Sequence, residues 1–191
     1  MMALRALDEA QIRSLHADQM HRDFPPSELK GVESILALKA RDEYDVLAAD
    51  LDGEMVGYAL VFRPRDSSAL LLDYLAVEPH LRGQGLGTQM LGMLCTYYAD
   101  AAKYLMIECE RPKAAPDEEE ARKRIRFYQR GGAALTDVRI WLFDVEYSIL
   151  VMPCKGKLDA EKQDWASLML GMYKSMLPQS LYKKNVRLIR G

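Results

Sequence analysis

The period of the apolar positions changes several times along the chain, and each change predicts an element. Leu4 and Leu7 in "LRAL" allow a short first strand. Asp8 then offers a helix N-cap with Gln11 three positions on, and Ile12, Leu15 and Gln19 give a helical stripe to about His21. The two prolines of "DFPPSELK" break that helix, and Ser27 is placed to cap a second one carrying Leu29, Val32, Ile35, Leu36 and Lys39. The stretch "YDVLAADLDGEMVGYALVFRP" alternates every second residue about Asp52-Gly53, which predicts a hairpin. "ALLLDYLAV" is apolar at every position but Asp73, as in a central strand covered on both faces.

Beyond that strand, "EPHLRGQGLGTQML" opens a helix expected to run to about Ala101, and "YLMIEC" is another buried strand. "PDEEEARKRIRFYQRGGA" is the clearest helix, with acidic residues 117–120 at its start and Gly131-Gly132 at its stop. Its Glu118–Arg122, Glu119–Lys123 and Glu120–Arg124 spacings are i,i+4 pairs in the favourable order, so the basic run reads as a solvated helix face. "VRIWLFDVEYSILVM" supplies two closing strands without an evident turn signal between them. Trp165, Leu168, Met169, Met172 and Met176 then share one face of a last helix, a stripe that should be buried on the core or across a homodimer.

Composition narrows the function classes. The 191 residues, 49% hydrophobic and 28% charged, are enough for one domain with its own core. A net charge of −2 supplies no overall field for nucleic acid or anionic membrane, so neither is expected as a partner. No apolar run approaches the length of a membrane span, and the start "MMALRALDEAQ" does not read as a signal peptide. Cys95, Cys109 and Cys154 are too far apart for a metal motif or a disulfide framework, which points to a reducing, cytoplasmic compartment. His16, His21 and His80 have no ligand spacing, and no metal is expected.

The glycines at every second position, Gly83, Gly85 and Gly87, need a reason, because glycine in a helix costs about 1 kcal/mol relative to alanine. A strand, a glycine-rich turn and a helix start together make an anion site from backbone N–H groups. The phosphate-loop pattern fails for want of a lysine, and the dinucleotide pattern fails because its last glycine falls one residue early. The pattern R-x-x-G-x-G does fit, from Arg82 to Gly87, behind a strand ending in "LAV".

In that motif, and in its order of elements from Leu4 to Met152, the chain resembles the GNAT N-acetyltransferase family. "FPPSELK", "LLDYLAV", "IECERP" and "EEEARKRIRFYQRGG" together are similar to a bacterial subgroup of undefined substrate. The resemblance implies an α+β fold, a central, mostly antiparallel mixed sheet flanked by helices. A GNAT domain would span residues 1–152, and residues 153–191 would form a C-terminal extension with the Met-rich helix. It implies an acetyl-CoA-dependent enzyme, with acetyl-CoA as co-substrate and a small-molecule or peptide amine as acceptor. Leu75, Ala76 and Val77 would pair through their backbone with the pantetheine arm. Arg82, Gly83, Gln84, Gly85, Leu86, Gly87 and Thr88 would hold the pyrophosphate.

By the same resemblance Tyr128 stands where the family has a tyrosine beside the coenzyme sulfur, placed to protonate the leaving thiolate. Read from the helix alone, Tyr128 shares an apolar stripe with Ala121 and Ile125 and could simply pack there. Many GNAT proteins carry asparagine where this chain has Ala121. Asp73 and Glu108 are the candidate bases, each open to a plain ion-pair reading, and Glu110 is weaker because it should lie past its strand. Phe24, Glu28 and Tyr147 are acceptor-side candidates, with ordinary packing as the alternative. A non-catalytic acyl-CoA sensor or an interaction module remains the alternative function.

Overall fold

The computed structural model describes residues 1–65, 67–158 and 163–189. The chain divides into two compact units, Met1–Arg63 with Asp73–Gly87, and Pro64–Leu72 with Thr88–Gly191. Strand β4 (Ala69–Val77) contributes residues to both.

In the first unit the strands run in the order β1 (Met2–Ala6), β2 (Tyr44–Leu51), β3 (Glu54–Phe62) and β4. Met2 pairs with Leu51 and Tyr44 with Phe62, both antiparallel. The β2–β3 turn is as the sequence predicts: Asp52 and Gly53 both have positive φ, at 52° and 93°, and Leu51 pairs directly with Glu54. Helix α1 (Glu9–Leu15) begins with the full capping box, Asp8 accepting from the Gln11 N–H and Gln11 from the Asp8 N–H.

Two details of this unit depart from the sequence reading. A π-helical turn over His16–Met20 follows α1 and leads into the short α2 (His21–Asp23). A π turn inserts one residue, so the position buried after Ile12 and Leu15 is Met20, at 1% exposure, rather than Gln19. Ser27 caps no helix: it lies in the turn where Glu28 N–H donates to Pro25 and Leu29 N–H to Pro26. Helix α3 (Val32–Ala40) begins later, after Gly31 at its N-cap position, and buries Ile35 and Leu38.

In the second unit the strand order is β4, β5 (Tyr104–Glu110), β7 (Val145–Pro153), β6 (Ala134–Leu142) and β8 (Val186–Leu188). β4 and β5 are parallel, from Ala69 opposite Tyr104 to Leu72 opposite Ile107, and β7 is antiparallel to both of its neighbours. The β6–β7 turn carries positive φ at Phe143 (46°) and Asp144 (67°), a hairpin turn without glycine and hence without a sequence signal. Helix α4 (Leu86–Tyr98) stops three residues earlier than Ala101.

Helix α5 (Glu118–Arg130) is capped by Asp117, whose side chain accepts from the Glu120 N–H. Of the three expected i,i+4 pairs, Glu118–Arg122 forms. Glu119 instead reaches Arg126 at 2.7 Å and Glu120 reaches Lys123 at 2.6 Å, while Arg124 turns towards Glu110 at 3.9 Å.

The Met-rich helix α6 (Trp165–Met176) buries Trp165, Met169, Met172, Tyr173 and Met176. It packs on β6, β8 and α7 (Gln179–Asn185), with Trp165 edge-on to Tyr104 at 4.9 Å. The extension is therefore more than a helix. Its last strand, β8, joins the sheet beside β6, with Arg187 opposite Trp141 and its guanidinium 4.5 Å from the indole centre.

Candidate active site

In the first unit, strand β4 ends at Val77 and a 3-10 turn (Pro79–Leu81) carries the chain into the glycine loop. Gly83 and Gly85 have φ of +81° and +83°, the left-handed region that side-chain-bearing residues avoid. A Cβ at either position would meet nothing within 4 Å, so the protein itself does not exclude a side chain there. The requirement is conformational, and the space above the loop is open. Arg82, Gly83, Gln84, Gly85 and Thr88 are exposed, Gly87 is half-buried and Leu86 is buried. α4 starts directly after Gly85, so its first N–H groups, which have no intrahelical acceptor, open at this loop. The arrangement suits a multiply charged, narrow anion such as a pyrophosphate.

A charged network that the sequence did not reveal holds the entrance of the loop. Arg82 folds back so that its Nε donates to the Val77 carbonyl at 2.9 Å and its Nη2 to Asp23 at 2.8 Å. Asp23, whose side chain is only 3% exposed, also accepts from Arg22 at 2.9 Å and from the Tyr58 hydroxyl at 3.0 Å. Arg22 in turn bridges to Glu78 at 2.9 Å. Burial works against the Asp23 carboxylate, but the bonds from Arg22 and Tyr58 and the charges of Arg22 and Arg82 outweigh it and hold its pKa below the ordinary value. Burial and the Asp23 charge push the Tyr58 phenol up, so it stays a donor. The loop therefore starts from a braced arginine, pinned at both the strand end and α2.

The acceptor-side candidates of this unit lie around Tyr74. Its hydroxyl donates to the Glu28 carbonyl at 2.7 Å and accepts from the Lys30 N–H at 2.9 Å, and Phe24 stands edge-on to its ring at 5.0 Å. Glu28 thus meets Tyr74 through its backbone. Asp73 has its carboxylate engaged by Lys30 Nζ at 2.8 Å, an ion pair, and by the Tyr44 hydroxyl. Leu75, Ala76 and Val77 follow it and lie past the last residue of β4 that pairs with β5.

The second unit holds the remaining candidates. Tyr128 is 8% exposed on the buried stripe of α5 with Ala121 and Ile125, and its ring meets Phe127 edge-on. Burial raises its pKa, the nearby Cys109 adds to this and Arg124 opposes it, so the phenol keeps its proton. Burial likewise pushes the Cys109 thiol up to about 12. Glu108 and Glu110 alternate with Cys109 along β5 and so project from the other face. Glu110 is inside the strand, not past it, and sits directly opposite Tyr147 on β7. Among the described residues, no cluster of three or more His, Cys, Asp or Glu side chains could hold a metal ion.

The strand, the paired positive-φ glycines and the helix they open leave backbone N–H groups facing open space, an arrangement suited to an anion. The profile of the Acetyltransferase (GNAT) family matches residues 9–132, and the chain belongs to that family. No curated protein matches it in sequence. Its fold is similar to that of a GNAT-family protein from Bacteroides thetaiotaomicron, at 22% identity and a TM-score of 0.72, covering 90% of this chain and 96% of that one. It is also similar to the spermidine N-acetyltransferase of Vibrio cholerae, solved with CoA and spermine. That match has 12% identity and a TM-score of 0.60, over 80% of this chain and 95% of that one. A third similar structure is the yncA protein of Salmonella typhimurium, solved with its cofactor acetyl-CoA. Here the identity is 17% and the TM-score 0.59, over 85% and 99% of the two chains. The mixed sheet flanked by helices is thus the GNAT fold. Among the described residues, no helix is long and apolar enough to cross a membrane.

Proposed function

We propose that the protein transfers the acetyl group of acetyl-CoA to a primary amine of a small molecule or peptide by direct attack within a ternary complex. The observation that carries this reading is the loop with Gly83 at +81° and Gly85 at +83°, open above and running straight into α4. The backbone N–H groups of residues 82–88 receive the pyrophosphate. Arg82 is braced by Asp23 and the Val77 carbonyl, so it orders the loop as well as adding positive charge. Leu75, Ala76 and Val77 offer backbone groups to the pantetheine arm as an added strand would.

An aliphatic amine has a pKa of about 10.4 and must lose a proton before it attacks. Asp73 or Glu108 serves as the base, directly or through water; the Asp73 carboxylate accepts from Lys30 and Tyr44. The amine nitrogen bonds to the thioester carbon, and the carbonyl oxygen becomes an oxyanion met by a β4 backbone N–H. The C–S bond then breaks, and Tyr128, kept protonated by burial, gives its proton to the departing thiolate. Phe24, Glu28 and Tyr147 border the acceptor.

A second reading has its own support. Ala121 stands where family members often have asparagine, Tyr128 lies on a packed stripe, and Asp73 is ion-paired. A protein that binds acyl-CoA without turnover would carry these features too. A coenzyme-release assay across classes of amine separates the two readings. Amine-dependent thiol release supports the enzyme, and binding without release supports the sensor.

A further inference from the structure

We infer that Cys95 and Cys154 form a dithiol site that closes reversibly into an intramolecular disulfide when the protein meets a small disulfide oxidant such as glutathione disulfide. The two residues are 59 positions apart in sequence, and nothing in their spacing pairs them, yet their sulfurs lie 3.2 Å apart. Both thiols are free. A disulfide needs the sulfurs at about 2.0 Å, so closing the bond asks for a movement of only about 1 Å.

The backbones that carry them are well held. Cys95 lies in the third turn of α4, 7% exposed. Cys154 directly follows β7, and its N–H donates to the Lys103 carbonyl at 2.8 Å, while Lys103 N–H donates to Ser68 at 2.8 Å. Cys154 is half-buried, which leaves it the more accessible of the two. The Cys154 S–H points at the Cys95 sulfur, which favours the Cys95 thiolate and disfavours that of Cys154. Cys109 is different: it is fully buried on β5 with its thiol pushed up to about 12, so it stays inert.

The chemistry balances with one oxidant molecule. Cys95, whose thiolate the Cys154 S–H favours, loses its proton and its sulfur attacks glutathione disulfide. A mixed disulfide forms on Cys95, the oxidant's S–S bond breaks, and one glutathione thiolate leaves and takes up the proton. Cys154 then loses its proton and attacks the Cys95 sulfur. The Cys95–Cys154 bond forms, the mixed disulfide breaks, and the second glutathione leaves as a thiol with the proton from Cys154. Two protein thiols are oxidised and one glutathione disulfide is reduced to two glutathione molecules. The product ties the helix opened by the glycine loop to the end of β7.

The test uses the full chain. After incubation with glutathione disulfide the protein is denatured in acid, its remaining thiols are alkylated with N-ethylmaleimide, and its mass is read intact and by peptide mapping. The reduced protein takes three labels, one for each cysteine. The oxidised protein should take one, at Cys109, with the Cys95 and Cys154 peptides linked, and dithiothreitol should restore all three. Cys109→Ser should still lose two labels, whereas Cys154→Ser should never give linked peptides. The melting midpoint should rise on oxidation and fall back on reduction, as expected for a cross-link between atoms already in place. Three labels after oxidation, a glutathione adduct that is never resolved, a link to Cys109, or a lower midpoint in the oxidised form would each overturn the inference.

Discussion

Replacing Asp23 with asparagine tests how the entrance of the glycine loop is held. The side chain is 3% exposed and accepts from Arg22, Arg82 and Tyr58 at 2.8–3.0 Å. Asparagine keeps the shape and one acceptor oxygen but removes the charge facing two guanidinium groups. A charge-assisted hydrogen bond is worth roughly 1.5–3 kcal/mol, and more is lost when a buried partner is left unpaired. Here the two arginines are 41% and 54% exposed, so water and Glu78 recover part of the loss. The net destabilisation should be about 2 kcal/mol, or roughly 4–8 °C in melting midpoint for a chain of this size.

The pH dependence has a defined sign. The folded Asp23 carboxyl titrates below its unfolded value of about 3.9, so its contribution is fully present above that value and fades as the pH falls through the folded pKa. Wild type and Asp23→Asn should therefore differ by a constant amount between about pH 5 and 8 and converge under acid. Thermal melts followed by circular dichroism across that range measure both. An asparagine variant as stable as wild type at pH 7, or a deficit that persists undiminished at low pH, would refute the network's role.

Gly85→Val should cost about 1–2 kcal/mol from its φ of +83° alone, since no neighbour stands in the way, and should abolish the rise in melting midpoint given by saturating acetyl-CoA. Should wild type itself show no such rise, the coenzyme-binding claim fails. Met169→Ala removes a fully buried side chain of α6 and should destabilise by about 2–5 kcal/mol in chemical denaturation; a neutral result would mean that α6 is not packed as described. Tyr128→Phe should leave coenzyme affinity intact and lower turnover by about 10²-fold or more. Because burial raises the phenol pKa, Tyr128 should add no alkaline limb to the rate below about pH 10, and unchanged turnover in the variant would make it a packing residue.

What could be read from the sequence was mostly local. The Asp8–Gln11 capping box and the Asp52-Gly53 turn each rest on residues within four positions of one another, and both formed. The glycine loop was legible for the same reason, because its backbone demand is written in consecutive residues. Ser27 misled because its hydroxyl pattern suits a cap while the prolines before it impose a turn. The π turn that exchanges Gln19 for Met20 depends on packing that no periodicity encodes. Strand β8 is three residues long and exists through its pairing with β6, and the Phe143-Asp144 turn has no glycine to announce it. The bracing of Arg82 joins residues 59 positions apart, and the Cys95–Cys154 contact spans the same distance, so neither leaves a local trace.

The central claim, that this GNAT chain is an acetyl-CoA-dependent N-acetyltransferase, is tested most directly by thiol release from acetyl-CoA. The assay presents polyamines, amino sugars, amino acids and peptide α-amines in turn, with mass detection of the acetylated product. The account predicts stoichiometric acetylation of at least one amine, dependent on enzyme and suppressed in Tyr128→Phe and Gly85→Val. Acetyl-CoA that binds and stabilises the protein, yet is turned over with none of these amines, would contradict it.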